Sequence, residues 1–155
     1  MKIRILSESP EETQKIACFF VQAVLKGYLI NFFKNNSSLA ISLEGELGSG
    51  KTEFLKGAAK TLRLKEKIFS PTFVIMKSFS LKTKSFESLW HIDCYRLKKI
   101  KEMEELGFKN IVKNKKNLVF VEWGDKIKKI LPKNHLTIKF KMIDKNKRQL
   151  EFIIP

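Results

Sequence analysis

Short segments with the hydrophobic pattern of strands alternate along this chain with longer amphipathic segments. The strand-like segments are residues 2–6, 39–43, 74–81, 89–93, 118–121, 136–143 and 148–154. Residues 118–121 form a continuous apolar run, which is typical of a strand buried inside a parallel sheet. Residues 2–6 alternate polar and apolar side chains and predict an edge strand. Turn residues at 82–85 and 144–146 predict that the third and fourth segments, and the last two, form hairpins.

Helical signals lie between these strands. Ser9 is suited to cap a helix, Pro10 fits its first position and Glu12 its third, and we predict a helix from there to about residue 33. The other predicted helices are residues 53–62, 98–106 and 126–130. Gly107 suits the C-terminal end of the second of these. The pattern predicts an α/β fold with a mixed sheet, mainly parallel in its core with antiparallel additions, and flanked by helices.

The loop between the second strand and the next helix carries the most specific motif. It consists of Gly45, Glu46, Leu47, Gly48, Ser49, Gly50, Lys51 and Thr52, and it matches the phosphate-binding pattern G-x-x-x-x-G-K-[ST] at each fixed position. The glycines let backbone amides approach a polyphosphate at a helix N-terminus. We predict that Lys51 reaches the β- and γ-phosphates of a nucleotide and that Thr52 offers its hydroxyl to Mg²⁺.

Acidic residues follow two other predicted strands. Glu122 comes directly after the continuous apolar run. An acid there, beside a phosphate loop, holds Mg²⁺ through water or orients the attacking water, whereas taken alone it is equally well a strand-end acid that faces solvent. Asp93 is a candidate metal-side carboxylate, and Arg96 is a candidate charge-neutralising group. His91 is a candidate hydrogen-bond partner rather than a base. For both His91 and Tyr95, spacing alone favours ordinary roles at the end of a strand, with Tyr95 packed at its rim.

Two further residues have open roles. Thr72 follows Ser70 and Pro71, where switch loops often present a hydroxyl to Mg²⁺ and the γ-phosphate. From spacing alone, an ordinary turn before a strand is the simpler interpretation. Trp123 fits stacking on a base as well as it fits a core or rim position.

Composition narrows the classes of protein that this chain can be. A length of 155 residues with 43% hydrophobic residues predicts a single globular domain. Cys18 and Cys94 are the only cysteines, which argues against a disulfide framework and a cysteine-based zinc site. No apolar run reaches the roughly 18 residues of a membrane span, and the N-terminus lacks a signal-peptide pattern, so we expect a cytoplasmic protein without membrane contact.

The net charge of +15 comes almost entirely from lysine. Such a charge attracts nucleic acid or acidic partners, but a general lysine bias on a solvated surface explains it equally well. The sequence shows no arginine and aromatic residues interleaved as a dedicated RNA reader has them. A weak polyanion-binding role therefore stays open.

Taken together, the motifs resemble one family, the bacterial tRNA threonylcarbamoyladenosine biosynthesis ATPases known as TsaE or YjeE. The matching elements, in chain order, are Glu11-Glu12-Thr13, the loop 45–52, Ser70-Pro71-Thr72-Phe73, His91-Ile92-Asp93-Cys94-Tyr95-Arg96-Leu97, Glu104-Glu105-Leu106-Gly107-Phe108, and Glu122-Trp123 with Leu131-Pro132 behind it. They span nearly the whole chain. Many families share the phosphate loop, whereas its combination with the other elements is specific.

The resemblance implies a P-loop protein that binds ATP with Mg²⁺ and hydrolyses it slowly. It also implies partnership with the TsaD and TsaB subunits, which attach threonylcarbamoyl to adenosine in tRNAs reading codons that begin with A. The ATP cycle would support repeated turnover of that transferase. A weak direct contact between the +15 charge and tRNA stays open. By position, the resemblance implies that Lys51 and Thr52 bind phosphate and Mg²⁺. It also implies that Asp93 and Glu122 are the metal-side and catalytic carboxylates. In the same way, Thr72 would lie in a switch-like loop, Trp123 near the nucleotide and Thr13 near the adenine.

The chain departs from the family pattern at three places. Glu53 stands where the family commonly has threonine, and its negative charge beside a polyphosphate site puts nucleotide affinity in doubt. Gly124-Asp125 replaces a common Pro-Glu pair, which keeps the acid and loses the rigidity. Cys94 replaces a usually aliphatic residue.

Three other functions compete with an ATPase of this family. A small-molecule kinase usually gathers arginines around the transferred phosphoryl group, and here only Arg96 is near a motif. A GTP switch needs an Asn/Thr-Lys-x-Asp motif, and the order of residues 144–146 is wrong for it. An RNA-binding module would bind tRNA with strong salt dependence and without a partner.

Overall fold

The computed structural model describes residues 1–29, 37–66 and 76–155. Its strands are β1 (Lys2–Ser7), β2 (Leu39–Glu44), β3 (Met76–Ser80), β4 (Ser88–Asp93), β5 (Asn117–Glu122), β6 (Leu136–Met142) and β7 (Arg148–Ile153). Its helices are α1 (Pro10–Leu25), α2 (Lys51–Thr61), α3 (Ile100–Glu105) and α4 (Phe108–Lys113), with a short 3-10 turn at Gly124–Ile127. None of the described helices is long and apolar enough to cross a membrane.

The described strands form one seven-stranded sheet in the order β1-β7-β6-β2-β5-β4-β3. Strand β2 runs parallel to both β5 and β6, and β4 runs parallel to β5. The pairs β1–β7, β6–β7 and β3–β4 are antiparallel. The predicted parallel core with antiparallel additions, the edge position of β1 and both hairpins are therefore confirmed. The carboxyl ends of β2, β5 and β4 meet at one edge of the sheet.

Helices α1 and α2 cover one face of the sheet over a cluster of phenylalanines. The cluster consists of Phe20, Phe54, Phe120, Phe140 and Phe152, and its neighbouring ring centroids are 5.5 to 6.5 Å apart. Phe54 of α2 is fully buried and contacts the other four rings. Burying such a side chain contributes roughly 1.5–3 kcal/mol. The cluster therefore holds α2, and the loop before it, firmly on the sheet.

Helices α3 and α4 cover the other face of the sheet. Met103, Phe108 and Ile111 share a second buried cluster with Val119 and Val121 of β5. Strand β5 is thus buried on both faces, as its continuous apolar run predicts. This burial fixes the position of the carboxylate at the end of β5.

Helix α1 begins as predicted but ends early. The side chain of Ser9 accepts a hydrogen bond from the amide of Glu12, and α1 ends at Leu25, so the predicted extension to about residue 33 is wrong. Gly27 has a φ of 80°, and its amide and that of Tyr28 donate to carbonyl oxygens of the preceding turn. A glycine in this left-handed conformation closes a helix end. Residues 30–33 of the prediction lie outside the described residues.

Two other helix predictions need correction. Gly107 ends α3 as expected, but its φ of 79° also starts α4, which the sequence analysis did not anticipate. The helix predicted at residues 126–130 is instead a 3-10 turn at Gly124–Ile127. In both places the segment is only one or two turns long. Packing on the sheet, rather than local periodicity, determines the conformation of such short segments.

Candidate functional site

The loop 45–52 connects β2 to α2 and needs glycine at specific positions. Gly50 directly precedes α2 with a φ of 107°, a backbone conformation that residues other than glycine rarely adopt. A Cβ atom on Gly45 would lie 2.5 Å from the carbonyl oxygen of Phe140 in β6. Gly45 is therefore packed closely against β6, and the first amides of α2 lack intrahelical partners. This is the geometry of an anion site at a helix N-terminus.

Lys51 occupies the centre of this site. Only 5% of the residue is exposed, and its Nζ donates to the carbonyl oxygens of Gly45 at 2.6 Å and Glu46 at 2.9 Å. The ammonium also lies 4.2 Å from the ring centroid of Trp123. Burial lowers the pKa of Lys51, while the negative charges of Glu122, Asp93 and Asp125 act against that lowering. The negative charges of these three carboxylates therefore act on a buried ammonium.

Glu122 stands at the end of β5 and contacts a histidine. Its Oε1 lies 2.8 Å from Nε2 of His91, and both residues are at least 98% buried. His91 lies on the neighbouring strand β4, opposite Phe120 in the register, so its side chain shares a face of the sheet with Glu122. A hydrogen-bonding role for His91 was one of two expectations, although spacing alone favoured an ordinary position at the strand end. Its place two residues before Asp93 on the same strand was the available signal.

Asp93 ends β4 next to Glu122. The two residues are directly paired in the parallel register, and the amide of Cys94 donates to the carbonyl oxygen of Glu122 at 3.0 Å. The Oδ1 of Asp93 accepts a hydrogen bond from the amide of Tyr95 at 2.9 Å. The structure thus brings together the loop, Asp93 and Glu122, three features that are far apart in the sequence.

Trp123 turns the chain sharply at the end of β5. It has a φ of 59°, a left-handed conformation that costs a residue with a side chain of order 1–3 kcal/mol. Its amide donates to the carbonyl oxygen of Leu43 in β2 at 2.9 Å. Its ring lies between the ammonium of Lys51 and the ring of Tyr95, whose centroid is 5.2 Å away. Strain of this kind is concentrated at functional sites.

Glu53, the departure next to Thr52, is turned away from the loop. Its Oε2 accepts a hydrogen bond from Gln14 of α1 at 2.7 Å, and its Oε1 accepts one from Lys56 at 2.6 Å. Burial acts to raise the pKa of Glu53, but these two hydrogen bonds hold it below its usual value. The charge is thus neutralised locally between α1 and α2.

Three predicted site residues remain, Thr52, Thr13 and Thr72, and the structure describes the first two. Thr52 is half-buried at the second position of α2. Thr13 is buried in the first turn of α1, and its hydroxyl lies 2.7 Å from that of Ser7. The predicted adenine contact of Thr13 stays a prediction. Thr72, with the whole Ser70–Phe73 motif, lies outside the described residues.

Residues of the β6–β7 hairpin also lie beside the loop, and no sequence motif predicted them there. A Cβ atom on Gly50 would lie 3.7 Å from Cγ of Arg148, and one on Gly48 would lie 3.8 Å from Cε of Met142. The Nη1 of Arg148 donates to three carbonyl oxygens of the hairpin turn, those of residues 144, 145 and 147. A cavity of about 460 Å³ opens between this hairpin, the start of the loop and Trp123.

The residues present suit a metal ion that arrives with a nucleotide. Within residues 1–29, 37–66 and 76–155, no three His, Cys, Asp or Glu side chains are grouped as a ready-made metal site. Mg²⁺ at phosphate sites takes most of its ligands from water and phosphate and only one or two from the protein. Thr52, Asp93 and Glu122 offer the oxygen atoms that Mg²⁺ prefers.

Comparison with known proteins agrees with this geometry. A sequence model of the family described as "Threonylcarbamoyl adenosine biosynthesis protein TsaE" matches residues 7–150. The chain belongs to the TsaE family. This family functions in tRNA threonylcarbamoyladenosine biosynthesis, and the resemblance inferred from the motifs is confirmed.

Individual relatives match most of the chain. The tRNA threonylcarbamoyladenosine biosynthesis protein TsaE of Rickettsia felis is 32% identical over 96% of this chain and 78% of its own length. The protein of the same name from Bacillus subtilis is 32% identical over 93% of this chain and 80% of its own length. That of Rickettsia bellii is 36% identical over 90% of this chain and 87% of its own length.

A solved structure shares the fold. The crystal structure of Bacillus subtilis YdiB superposes with a TM-score of 0.65 and 27% sequence identity, covering 99% of this chain and 86% of that one. The predicted P-loop type of α/β fold is therefore confirmed.

Proposed function

We propose that this chain is an ATPase that binds ATP and Mg²⁺ at the loop 45–52 and hydrolyses ATP slowly within the tRNA threonylcarbamoyladenosine machinery. One observation carries the proposal: the buried ammonium of Lys51 bonds the carbonyl oxygens of the loop, and the negative charges of Glu122 and Asp93, at the carboxyl ends of β5 and β4, act on it. Ligands of open α/β sheets bind at that edge. A phosphate loop, a buried lysine and strand-end carboxylates are the parts that phosphoryl transfer requires.

The proposed reaction is in-line attack by water on the γ-phosphate. The first amides of α2 hold the phosphates, and Lys51 moves its ammonium from the carbonyl oxygens of Gly45 and Glu46 to the phosphate oxygens. Glu122, held by His91, or Asp93 orients the attacking water. When bound, Mg²⁺ neutralises charge on the β- and γ-phosphates, and Thr52 with Asp93 or Glu122 would hold it.

Slow turnover without a partner is part of the proposal. Arg148 is close to the loop, but its Nη1 is bonded to three carbonyl oxygens of its own hairpin. With Arg148 held in this way, we expect intrinsic hydrolysis to be slow until a partner completes the site. We propose that homologues of TsaD and TsaB in the cytoplasm stimulate it, and that the ATP cycle supports repeated turnover of their transferase.

ATP hydrolysis by the purified protein, alone and with TsaD and TsaB homologues, tests the proposal. Lys51→Ala should lose ATP binding, and Glu122→Gln should keep ATP binding and lose hydrolysis. Wild-type hydrolysis by the Lys51→Ala protein would refute the site. A rate that the partners do not change would refute their role.

A small-molecule kinase is the alternative that the same assay separates. A kinase consumes ATP in proportion to an added acceptor, whereas the proposed ATPase consumes it in water alone. We therefore include candidate acceptors in parallel reactions. ATP loss that depends on an acceptor would favour the kinase.

A further inference from the structure

The positive charge is unevenly divided between the two faces of the sheet. The segments that cover the α3–α4 face, residues 97–116 and 123–135, contain 11 lysines and 4 acidic residues, a formal charge of +7. We call these two segments the lysine layer. On the opposite face, residues 8–29 and 51–66 contain 7 basic and 5 acidic residues, a formal charge of +2. A general lysine bias would load both layers alike, so it does not explain this difference.

The lysines of this layer point to solvent. Their apolar neighbours, such as Met103, Phe108 and Ile127, fill the core beneath them. All of the lysines except Lys116 are exposed. Among the described residues, Lys116 is also the one lysine of the layer that forms an ion pair, at 3.7 Å from Glu87. The layer therefore presents positive charge that its own carboxylates leave largely uncompensated.

An aromatic residue lies where the lysine layer meets the nucleotide site. Tyr95 is 47% exposed, and its carbonyl oxygen accepts a hydrogen bond from Nζ of Lys126. The same Nζ lies 5.6 Å from the ring centroid of Tyr95 and 6.0 Å from that of Trp123. An exposed ring beside ammonium groups suits contact with unstacked bases as well as phosphates.

We propose that the lysine layer is a binding surface for tRNA, which it holds mainly through the phosphate backbone. Exposed ammonium groups on one face match the regular negative charge of folded RNA, and neutralising phosphates releases condensed counterions. Lysine binds phosphate as a mobile point charge, so contact of this kind reads little sequence. The choice of tRNA follows from the biosynthetic process of the TsaE family, and the surface itself does not depend on the proposed ATPase.

Two variants with equal charge change test the surface. The surface variant carries four changes at exposed positions of the lysine layer: Lys109→Gln, Lys113→Gln, Lys115→Gln and Lys128→Gln. The control variant carries four changes at exposed positions of the opposite layer: Lys15→Gln, Lys26→Gln, Lys60→Gln and Lys65→Gln. Both lose four charges, so a difference between them reports where the RNA binds. Binding of the full chain to tRNA is measured without nucleotide across a range of KCl concentrations.

We expect the surface variant to bind tRNA at least about tenfold more weakly than the wild type at 0.1 M KCl, with the control variant within about threefold. The slope of log affinity against log salt should fall by roughly 2–4 in the surface variant, because each phosphate contact contributes about 0.7–0.9. Equal losses in both variants would overturn the proposal. So would a wild type that binds poly-glutamate or anionic vesicles as tightly as tRNA.

The same variants separate this inference from the ATPase proposal. The surface variant should hydrolyse ATP at the wild-type intrinsic rate, and Lys51→Ala should keep its affinity for tRNA. Loss of ATPase activity in Lys51→Ala with tRNA binding retained would support both proposals. If wild-type protein lacks ATPase activity but the two lysine variants still differ in tRNA affinity, the surface stands and the ATPase fails.

Discussion

A His91→Ala substitution would test how the carboxylate of Glu122 is held for catalysis. The two side chains are joined by one hydrogen bond of 2.8 Å between strands β4 and β5, and both are almost completely buried. Removing the imidazole leaves one oxygen of Glu122 without this donor and opens space in which the carboxylate can rotate. The predicted defect is thus in orientation, since the loop and Lys51 are untouched.

The magnitude follows from this single bond. A hydrogen bond to a charged group contributes about 1.5–3 kcal/mol, which corresponds to roughly 10- to 100-fold in rate if it acts on the transition state. We therefore expect kcat to fall about 10- to 100-fold while the affinity for ATP stays within roughly threefold. The free energy of unfolding should fall by about 2–4 kcal/mol, because the truncation also leaves a cavity.

Single-turnover ATP hydrolysis, nucleotide titration and chemical denaturation together measure these quantities. His91→Gln retains an N–H donor and should recover part of kcat. His135→Gln is the matched control, because the chain's only other histidine bonds the carbonyl oxygen of Pro132. A folded His91→Ala protein with wild-type kcat would refute the reasoning. A loss of ATP affinity at unchanged kcat would refute it equally.

Three further predictions concern single positions. Glu53→Thr should change ATP affinity less than about threefold in a titration, because the carboxylate of Glu53 is already neutralised by its neighbours and partly screened by solvent. Gly124→Ala should lower the free energy of unfolding, measured by urea denaturation, by about 1–3 kcal/mol, because the added Cβ would lie 2.1 Å from Oγ of Ser42. A second change, Ser42→Gly, removes that oxygen and should restore part of the lost stability. Burial raises the pKa of Cys94 to about 12, so at pH 7 to 9 its thiol stays protonated and a thiol reagent should label the half-exposed Cys18 first. Rapid labelling of Cys94 in folded protein would contradict the last prediction.

The sequence predicted structure well where short-range sequence signals and the burial of apolar residues favoured the same element. The cap at Ser9, the glycine loop and the apolar run of β5 each depend on neighbouring residues along the chain. The order of these elements was enough to predict a parallel core. Local rules failed at short segments. Helix α4 and the 3-10 turn at Gly124–Ile127 are too short for the spacing of apolar residues to show which conformation they adopt.

The family and the kind of fold were determined by the sequence alone, because a phosphate loop in strand–loop–helix context and an ordered set of motifs are properties of the chain itself. The sequence also placed Asp93 and Glu122 at strand ends. Their approach to Lys51 depends on the sheet order, which brings β4, β5 and β2 side by side.

Only the tertiary structure decided which side chains meet. The contact of His91 with Glu122 needs the parallel register of β4 and β5, and the approach of Arg148 to Gly50 needs the hairpin to fold back on the loop. The division of lysines between the two faces likewise depends on which helices cover which face of the sheet. Contacts between residues distant in sequence come from the packing of the whole sheet, and no local pattern encodes them.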